Sequence, residues 1–565
     1  MFTLVTVVAL GILLPALTQP RFLGDTYIYV NEIRAYDTGE SHALANMWDF
    51  GHVAWRWIGY GLFAAGRPVW MGLGDGYPPF AIAWALIALT WSLSCWSVYL
   101  LFRLVSRFTT NRWIVLGACV AFTTDHAMLN YFRAGCSYLA ALTFCLAALL
   151  YMLEAADEDG SSRRAIYAGL AMGASVVCWF PFILMIPGLL LAPMLLEGNS
   201  RRDKYLPAIL AASILGAVWY GAALVSMHFY TIRDILDWVG KSSHGFTQNR
   251  RLQRWVFGFP RSFLFAANDG IQIKRYLFHD PYAGVTLASL LKGPVLKVIL
   301  FFTYLASLLF ALSRLDRLRP LWWCLLGLLP VTLFAILLFE SGATERYLAL
   351  LPFLIVPGAI AAARLPWFRW VSGGMIAFMA VNNINAMWAP SVQATLNKTA
   401  GRIEGSAQHY NPASIEIVAN MQDDLPLLGS AMVYYPLNRA TPPACRVALQ
   451  SSSIFAPMWK ELGATYALHA WKAGGDVWVA TRILAERPQP EWLWTEADDP
   501  YARWQDLHGF YQQFEYTNER LGGEDGFVKL RDSPANHAII FPLGDRYQQW
   551  LIQEKISSPD ADQSR

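Results

Sequence analysis

Apolar runs long enough to cross a lipid bilayer recur through the first 388 residues of this 565-residue chain and then stop. A membrane-spanning helix needs roughly 17–25 mostly apolar residues. With 55% hydrophobic and 15% charged residues, the chain lies outside the composition of soluble globular proteins. We therefore predict an α-helical polytopic membrane protein with about eleven spans. The candidate spans are residues 2–18, 79–103, 113–131, 135–154, 165–180, 181–197, 205–227, 293–313, 320–339, 347–364 and 368–388.

Two of these spans have irregular patterns. Residues 165–197 could equally form one span that breaks around 179–182, and Asp125 interrupts the third run. A carboxylate at membrane depth or at its margin is costly and is usually functional. Asp125 is therefore a candidate site residue, and pairing with Arg133 or His126 is an equally good interpretation.

Basic residues follow every second span, in short connections. They are Arg103, Arg107, Arg112, Arg163, Arg164, Arg201, Arg202, Lys204, Arg314, Arg317, Arg319, Arg364 and Arg369. Because cytoplasmic loops carry an excess of Lys and Arg, this pattern predicts a cytoplasmic N-terminus and an extracytoplasmic C-terminus. The first run lacks the charged n-region of a signal peptide. Whether the first run is a membrane span or a signal peptide, residues 19–78 are predicted to lie on the extracytoplasmic side of the membrane.

The composition shift near residue 390 predicts two domains. Residues 1–389 form a transmembrane domain with outer loops at 19–78 and 228–292, and residues 390–565 form a soluble extracytoplasmic α/β domain. In the second domain, the stretch "PASIEIVANMQDDL" has a helical pattern. The stretches "SAMVYYP", "DVWVATR", "GFVKL" and "HAIIFPL" have strand patterns.

The first outer loop is rich in carboxylates, among them Asp25, Asp37 and Glu40. The stretch "DTGE", residues 37–40, has the spacing of a helix capping box, which is a purely structural explanation. The alternative is a catalytic carboxylate held at the membrane surface. "DTG" is also a short motif of aspartic proteases, but a second such motif and flanking strands are missing from the sequence, so we reject that class.

The second large outer loop is basic. Residues 228–292 contain nine Lys and Arg against four Asp, on the side of the membrane where positive loops are disfavoured. Arg and Lys bind phosphate well, so Arg250, Arg251 and Arg254 are candidates for phosphate binding. Binding of anionic lipid headgroups is the alternative. Farther along, "FESGATERYLALLPFL" places Arg346 and Tyr347 at the mouth of a span, where Arg346 binds either a lipid phosphate or Glu345.

Carboxylates that face cations across a membrane surface fit one reaction in particular. A polyprenyl-phosphate sugar has its phosphate at the interface and its sugar outside. Transfer of the sugar needs a carboxylate to deprotonate the acceptor hydroxyl, and cations to stabilise the departing phosphate. The seven cysteines include no CxxC or Cys/His spacing. No cofactor is required by this scheme, and Mg²⁺ or Mn²⁺ is compatible with it without a ligand pattern that demands either.

The layout resembles the GT-C superfamily of integral-membrane glycosyltransferases. "RYLALLPFL" is similar to a late-span pattern of aminoarabinose-transferase and protein O-mannosyltransferase relatives. "DTGESHALANMWDFGHVAWRWIGY" and "AGCSYLAALTFCLAALLYM" resemble segments of one membrane O-mannosyltransferase branch. The chain departs from that branch after His52, where "HVAWRWIGY" replaces His-Pro-Pro-Gly-Tyr. This leaves the sugar and acceptor preference open.

The resemblance implies roles for particular residues. Asp37 is the expected catalytic carboxylate of the first loop, with Glu40 as its companion and Asp25 as its rival. Asp125 is the expected acidic residue of the second loop. His52, Arg346 and Tyr347 join the three loop arginines as substrate-binding candidates.

Taken together, the sequence predicts a polyprenyl-phosphate-sugar-dependent glycosyltransferase of a bacterial plasma membrane. Its acceptor is a lipid, a glycan or a protein, and nucleic acid is not an expected partner. Two other classes stay open. A secondary transporter would usually show paired broken helices in two halves of the chain. An envelope-assembly scaffold would need no carboxylate–cation arrangement.

Overall fold

The computed structural model of the chain describes residues 2–14, 26–40, 43–74, 76, 78–157, 161–198, 202–242, 252–265, 276, 285–337, 343–386, 413–419, 446–450, 458–488, 500–521 and 526–557. The chain divides into two compact units. The first comprises residues 1–267 and 295–393, and the second comprises residues 268–294 and 394–565.

The described secondary structure of the first unit is helical. Its helices up to residue 242 are α1 (Phe2–Leu13), α2 (Thr26–Asp37), α3 (Ala43–Met47), α4 (Trp55–Ala65), α5 (Arg67–Leu73), α6 (Pro78–Phe108), α7 (Arg112–Thr124), α8 (His126–Tyr131), α9 (Tyr138–Ala156), α10 (Ser162–Cys178), α11 (Phe180–Glu197), α12 (Tyr205–Ser226) and α13 (Ile232–Ser242). Short 3₁₀ turns occupy Phe50–His52 and Arg202–Lys204.

Five further helices lie between residues 252 and 386, among them the last three candidate membrane spans of the described residues. They are α14 (Leu252–Phe263), α15 (Leu287–Ser313, of which residues from 295 belong to this unit), α16 (Arg319–Leu337), α17 (Thr344–Arg364) and α18 (Pro366–Ala386). Among the described residues, seven helices are long and apolar enough to cross a membrane: α6, α9, α11, α12, α15, α16 and α17. These helices make the chain an integral membrane protein, and the full count of eleven spans stays a prediction.

Helices α9 and α17 form the centre of the first unit. In each, 83% of the apolar stretch is buried inside the protein, against 17% for α12. Helix α9 is apolar on every face, as expected of a helix surrounded by other helices. Helix α10 packs between α9 and α12, and Gly169 lets it approach closely, because an added Cβ would overlap the carbonyl of Ala208.

Two interruptions expected from the sequence are present. Helix α7 ends at Thr124 and α8 begins at His126, with Asp125 as the connecting residue. Trp179 is extended, with φ −154° and ψ 108°, and separates α10 from α11. Residues 165–197 therefore form two helices joined at Trp179.

The end of the bundle that carries the short basic connections is held by one ion cluster. Arg107, at the C-terminal end of α6, hydrogen-bonds to both Asp157 and Glu197. These carboxylates follow α9 and close α11, so one guanidinium ties three helix ends together. Pairing with two carboxylates explains how the charged Arg107 remains partly buried.

The second unit contains a mixed five-stranded sheet. Its elements are β1 (Ile415–Ala419), β2 (Arg446–Gln450), α19 (Trp459–Lys472), β3 (Val477–Ala480), α20 (Thr481–Leu484), α21 (Pro500–Tyr511), β4 (Tyr516–Leu521), β5 (Phe527–Leu530) and α22 (Pro534–Ser557). The strand order is β2-β1-β3-β5-β4, parallel through β2, β1 and β3 and antiparallel from β3 to β4. Its core includes Trp459, Trp478, Phe510 and Phe527. This is the α/β architecture predicted for the C-terminal part.

Two of the predicted elements of this unit are wrong. "PASIEIVANMQDDL" contains strand β1, because Ile415 and Ile417 alternate with Glu416 and the strand pairs on both sides. "HAIIFPL" lies inside helix α22, where packing against α19 overrides the β-branched residues and Pro542. The strands in "DVWVATR" and "GFVKL" are confirmed as β3 and β5. "SAMVYYP" lies outside the described residues.

Candidate active site

The loop between α8 and α9 is a meeting point for distant parts of the chain. The Thr26 hydroxyl, at the start of α2, donates to the carbonyl of Ala134 and lies 2.9 Å from the sulfur of Cys136. The indole N–H of Trp55 donates to the carbonyl of Gly135 at 3.0 Å. Gly135 has φ +77°, a conformation that favours glycine. The first residues of α2 are thus held against this loop.

The start of α17 joins the same place through Glu345. The hydroxyl of Tyr131 donates to Glu345 at 2.8 Å. Burial, and then the charge of Glu345, hold the pKa of the Tyr131 phenol well above its usual range, so Tyr131 stays protonated as a donor. The guanidinium of Arg346 lies 3.6 Å from the other oxygen of Glu345 and 5.7 Å from the ring centre of Trp179.

His52 completes this group of residues. Its Nδ1 lies 2.7 Å from the hydroxyl of Ser137 and 3.2 Å from the carbonyl of Cys178. Its ring contacts Tyr138, which in turn contacts Tyr131 and Trp179. We refer to the connected side chains as the Tyr131 cluster: His52, Tyr131, Ser137, Tyr138, Trp179, Glu345 and Arg346. His52, predicted to bind substrate, is buried in this cluster with 8% of its surface exposed.

Asp37 and Glu40 lie at the other end of α2. Asp37 is the last residue of that helix and forms an ion pair with Arg67 of α5, while Glu40 is exposed and lies 3.1 Å from Arg34. The capping-box interpretation is wrong. Residues 38–40 close the C-terminus of α2: Gly39 has φ +72°, and the amide of Glu40 donates to the carbonyl of Ala35 at 3.0 Å.

A buried arginine accounts for two more carboxylates of the acidic first loop. Arg56 of α4 is 5% exposed and lies 2.6 Å from Glu32 and 3.0 Å from Asp49. It also donates to the carbonyl of Asn46 at 2.5 Å. These contacts hold α2, α3 and α4 together, which gives Glu32 and Asp49 a structural role.

Asp125 is almost completely buried, with 1% of its surface exposed. Its Oδ1 accepts from the amide of Met128 at 3.1 Å, capping the N-terminus of α8. Its Oδ2 has no hydrogen-bond partner among the described residues. The ring of His126 lies beside the carbonyl of Arg261 and Asn130 instead, at 2.6 and 2.8 Å.

Of the other predicted site residues, the structure describes Tyr347 of α17 and the backbone of Arg254. Tyr347 is 1% exposed, and its ring centre lies 5.0 Å from that of Phe259. Arg254 belongs to α14, and its side chain is outside the description. Asp25, Arg250 and Arg251 lie outside the described residues. Their roles stay predictions.

Sequence reasoning missed the residue that joins three helix ends near this site. Asn383 of α18 is fully buried and donates to the carbonyls of Thr124 and Phe263, both at 2.7 Å. Its Oδ1 accepts from the amide of Phe265 at 2.7 Å. The signal in the sequence was the polar pair Asn382-Asn383 inside an apolar run.

A metal ion has no evident ligand set in the part of the chain that the structure describes. No three His, Cys, Asp or Glu side chains converge there in a way that would hold one. Asp25 lies outside this part of the chain. The use of Mg²⁺ or Mn²⁺ therefore stays a prediction.

No protein-family model and no curated protein sequence matches this chain. Solved structures do match its fold. The crystal structure of ArnT from Cupriavidus metallidurans, bound to undecaprenyl phosphate, is similar over 94% of this chain and 97% of its own, with TM-score 0.52 and 9% identity.

Two structures of the Archaeoglobus fulgidus oligosaccharyltransferase are more distant. One, in complex with zinc and sulfate, covers 86% of this chain and 68% of its own, with TM-score 0.45 and 12% identity. The other, AglB in complex with an inhibitory peptide and a dolichol-phosphate, covers 85% and 69%, with TM-score 0.43 and 10% identity. The likeness to ArnT over nearly the whole of both chains confirms the GT-C-like fold predicted from the sequence.

Proposed function

We propose that this protein is a membrane glycosyltransferase that moves a sugar from a polyprenyl-phosphate-linked donor to an acceptor at the outer face of the membrane. The observation that carries the proposal is the Tyr131 cluster, which gathers acidic, cationic and aromatic side chains at one end of a bundle with a GT-C fold. The fold alone does not define a reaction, so the proposal depends on these side chains.

The general base is proposed to be Asp25 in preference to Asp37. Asp25 directly precedes Thr26, whose hydroxyl is bound to the loop that follows Tyr131. Asp37 lies eleven residues beyond Thr26 along α2, which is a distance of about 16 Å at 1.5 Å per residue. Asp37 also forms an ion pair with Arg67, so its carboxylate is already engaged by a cation.

The guanidinium of Arg346 is proposed to stabilise the phosphate as it departs. It is the cation of the Tyr131 cluster, and aromatic contact with Trp179 orients it. An arginine in such a partly desolvated place binds phosphate strongly. Arg250, Arg251 and Arg254 are proposed to draw the anionic lipid toward the site, with Glu345 and Tyr131 setting the position of Arg346.

The reaction then needs only the chain's own groups. The carboxylate of Asp25 accepts the proton of the acceptor hydroxyl as its oxygen bonds to the anomeric carbon of the sugar. The bond from that carbon to the phosphate oxygen breaks, and the polyprenyl phosphate leaves with the electron pair. Attack from the face opposite the phosphate inverts the configuration at the anomeric carbon. Glu40, the expected companion of Asp37, and Asp125, the expected acidic residue of the second loop, have no part in this scheme.

The test is a comparison of Asp25→Asn, Asp37→Asn and a full deletion in the native host, at matched protein levels. Mass spectrometry follows polyprenyl-phosphate sugars and finished glycans. We expect the deletion and Asp25→Asn to accumulate the same lipid-linked sugar and lose the same modification. Removal of a general base costs about 100-fold or more in rate.

Asp37→Asn is the matched control, since it changes the same chemical group at the other end of α2. Its glycans should remain close to wild type. Normal glycans in Asp25→Asn, combined with defects in the deletion strain, would exclude Asp25 as the base. A deletion strain with unchanged lipid-linked sugars and glycans would exclude the transferase and favour the transporter or the scaffold.

A further inference from the structure

A cavity separate from the Tyr131 cluster lies within the helices of the first unit. A cavity of about 320 Å³ runs between α7, α15, α17 and α18. Its wall is mostly apolar, with Gly117, Leu305, Leu354, Ile355, Ile376 and Met379 among the lining residues. This volume lies within the range of small-molecule sites in proteins.

The cavity follows the whole length of α7. Asn111 and Trp113 line it at the N-terminal end of that helix, and Asp125 lines it just beyond the C-terminal end. The 13 residues of α7 span about 20 Å. A long, narrow and apolar cavity of this length matches an extended hydrocarbon chain better than a compact ligand.

Asp125 supplies a carboxylate at one end of this mostly apolar space. It is 1% exposed, and its Oδ1 is engaged by the amide of Met128. Its Oδ2 has no hydrogen-bond partner in the described part of the chain. A buried carboxylate oxygen without a donor costs free energy, so the site favours a ligand that supplies one.

The side-chain amide of Asn383, which binds the last carbonyl of α7, does not offer that donor. Asn383 lies above the end of α7, but both of its donor bonds go to the carbonyls of Thr124 and Phe263. These bonds also tie the ends of α7, α14 and α18 together at this end of the cavity.

We propose that this cavity binds an amphiphile with one long apolar chain and a hydroxyl or ammonium head, which donates a hydrogen bond to Oδ2 of Asp125. The chain lies along α7 between α17 and α18. An anionic phosphate head at this end is disfavoured, because it would face the carboxylate. The site is separate from the Tyr131 cluster, and its occupancy does not depend on the proposed glycosyl transfer.

The test uses photo-crosslinking of the full-length protein in phosphatidylcholine nanodiscs. The probes are three lipids with the same saturated chain and the same diazirine, ending in a primary alcohol, a primary amine or a phosphate. Mass spectrometry of peptides maps the labelled residues. We expect the alcohol and the amine to label α7, α17 and α18 about tenfold more than the phosphate does.

Two glycines provide a matched pair of variants. An added Cβ on Gly117 would meet only Ile376, at 3.8 Å across the cavity, so Gly117→Leu fills the cavity without a clash at the backbone. An added Cβ on Gly216 of α12 meets nothing within 4 Å. Gly117→Leu should abolish the labelling of these three helices, and Gly216→Leu should leave it unchanged.

Asp125→Asn tests the head group. The amide keeps an oxygen for the cap of α8 and removes the charge, so the amine should lose its advantage over the phosphate. Equal labelling by all three probes in the wild-type protein would overturn the proposal. So would labelling that survives Gly117→Leu, or a preference for the phosphate, which would indicate an anionic lipid near Arg369 at the other end of the cavity.

Discussion

The hydroxyl of Tyr131 donates a hydrogen bond of 2.8 Å to Glu345, a residue 214 positions later in the chain. This bond connects the end of α8 to the start of α17, which is one of the two most buried spans. It also fixes the carboxylate that lies beside Arg346. The position of the proposed phosphate-binding guanidinium therefore depends on a phenol that is far away in sequence.

Replacing Tyr131 by Phe should lower both stability and transfer. The change leaves Glu345 without its donor, at a cost of about 1 kcal/mol or more. Thermal unfolding in detergent measures the first effect, and the lipid-linked sugar assay measures the second. Tyr151→Phe is the control, because Tyr151 is only partly buried on α9 and contacts Tyr167. Equal behaviour of the two variants would show that the bond to Glu345 contributes nothing.

Alkaline pH should weaken the same contact. Because the pKa of Tyr131 is raised in the folded protein, its contribution to stability is complete below the unfolded pKa of about 10 and is lost as pH rises beyond that value. The difference in unfolding midpoint between wild type and Tyr131→Phe should be constant from pH 7 to about 9.5 and narrow above about 10. A difference that stays constant to pH 11 would contradict the burial of this phenol.

The ion pair between Asp37 and Arg67 should contribute little to stability. The side chain of Arg67 is 47% exposed, and exposed pairs contribute about 0–1 kcal/mol. A double-mutant cycle with Asp37→Asn and Arg67→Gln should give a coupling in that range. A coupling well above 1 kcal/mol, or a loss of transfer in both single variants, would assign this pair a larger role than proposed here.

Replacing Arg56 should destabilise the protein far more than breaking the ion pair between Asp37 and Arg67. Arg56→Met removes the partner of Glu32 and Asp49, leaving two partly buried carboxylates close together, and we expect a cost of about 2–3 kcal/mol. Arg103→Met is the control, because the side chain of Arg103 is 48% exposed and its pair with Glu154 should contribute at most about 1 kcal/mol. Similar unfolding midpoints for the two variants would refute the structural role of Arg56.

Asn383→Ala should be among the most destabilising single changes in α18. The change removes the hydrogen-bond partner of the carbonyls of Thr124 and Phe263 and of the amide of Phe265. We expect the free energy of unfolding to fall by at least about 3 kcal/mol. Asn111→Ala removes only the N-cap of α7, at about 1 kcal/mol, and serves as the comparison. A loss no greater than that of Asn111→Ala would mean that water or other groups replace the bonds of Asn383.

Local pattern was a good guide to elements whose environment is uniform. The long apolar runs predicted helices because lipid offers no hydrogen bonds to an unpaired backbone, and the break at Asp125 was visible as a charge in such a run. The sequence pattern predicted the wrong secondary structure where tertiary packing determines the element. The segments around Ile415 and Pro542 were assigned the wrong element, since one pairs within a sheet and the other packs on α19.

The sequence by itself determined that this chain is a helical membrane protein with a separate α/β part, because helix formation in lipid and hydrophobic periodicity depend on neighbouring residues alone. Only the tertiary structure decided which carboxylates share a site. It brought Tyr131, His52 and Glu345 together, paired Asp37 with Arg67 and left Asp125 facing an apolar cavity. The reason is physical: the partners of a buried polar group come from distant helices, and no local spacing encodes which helices will meet.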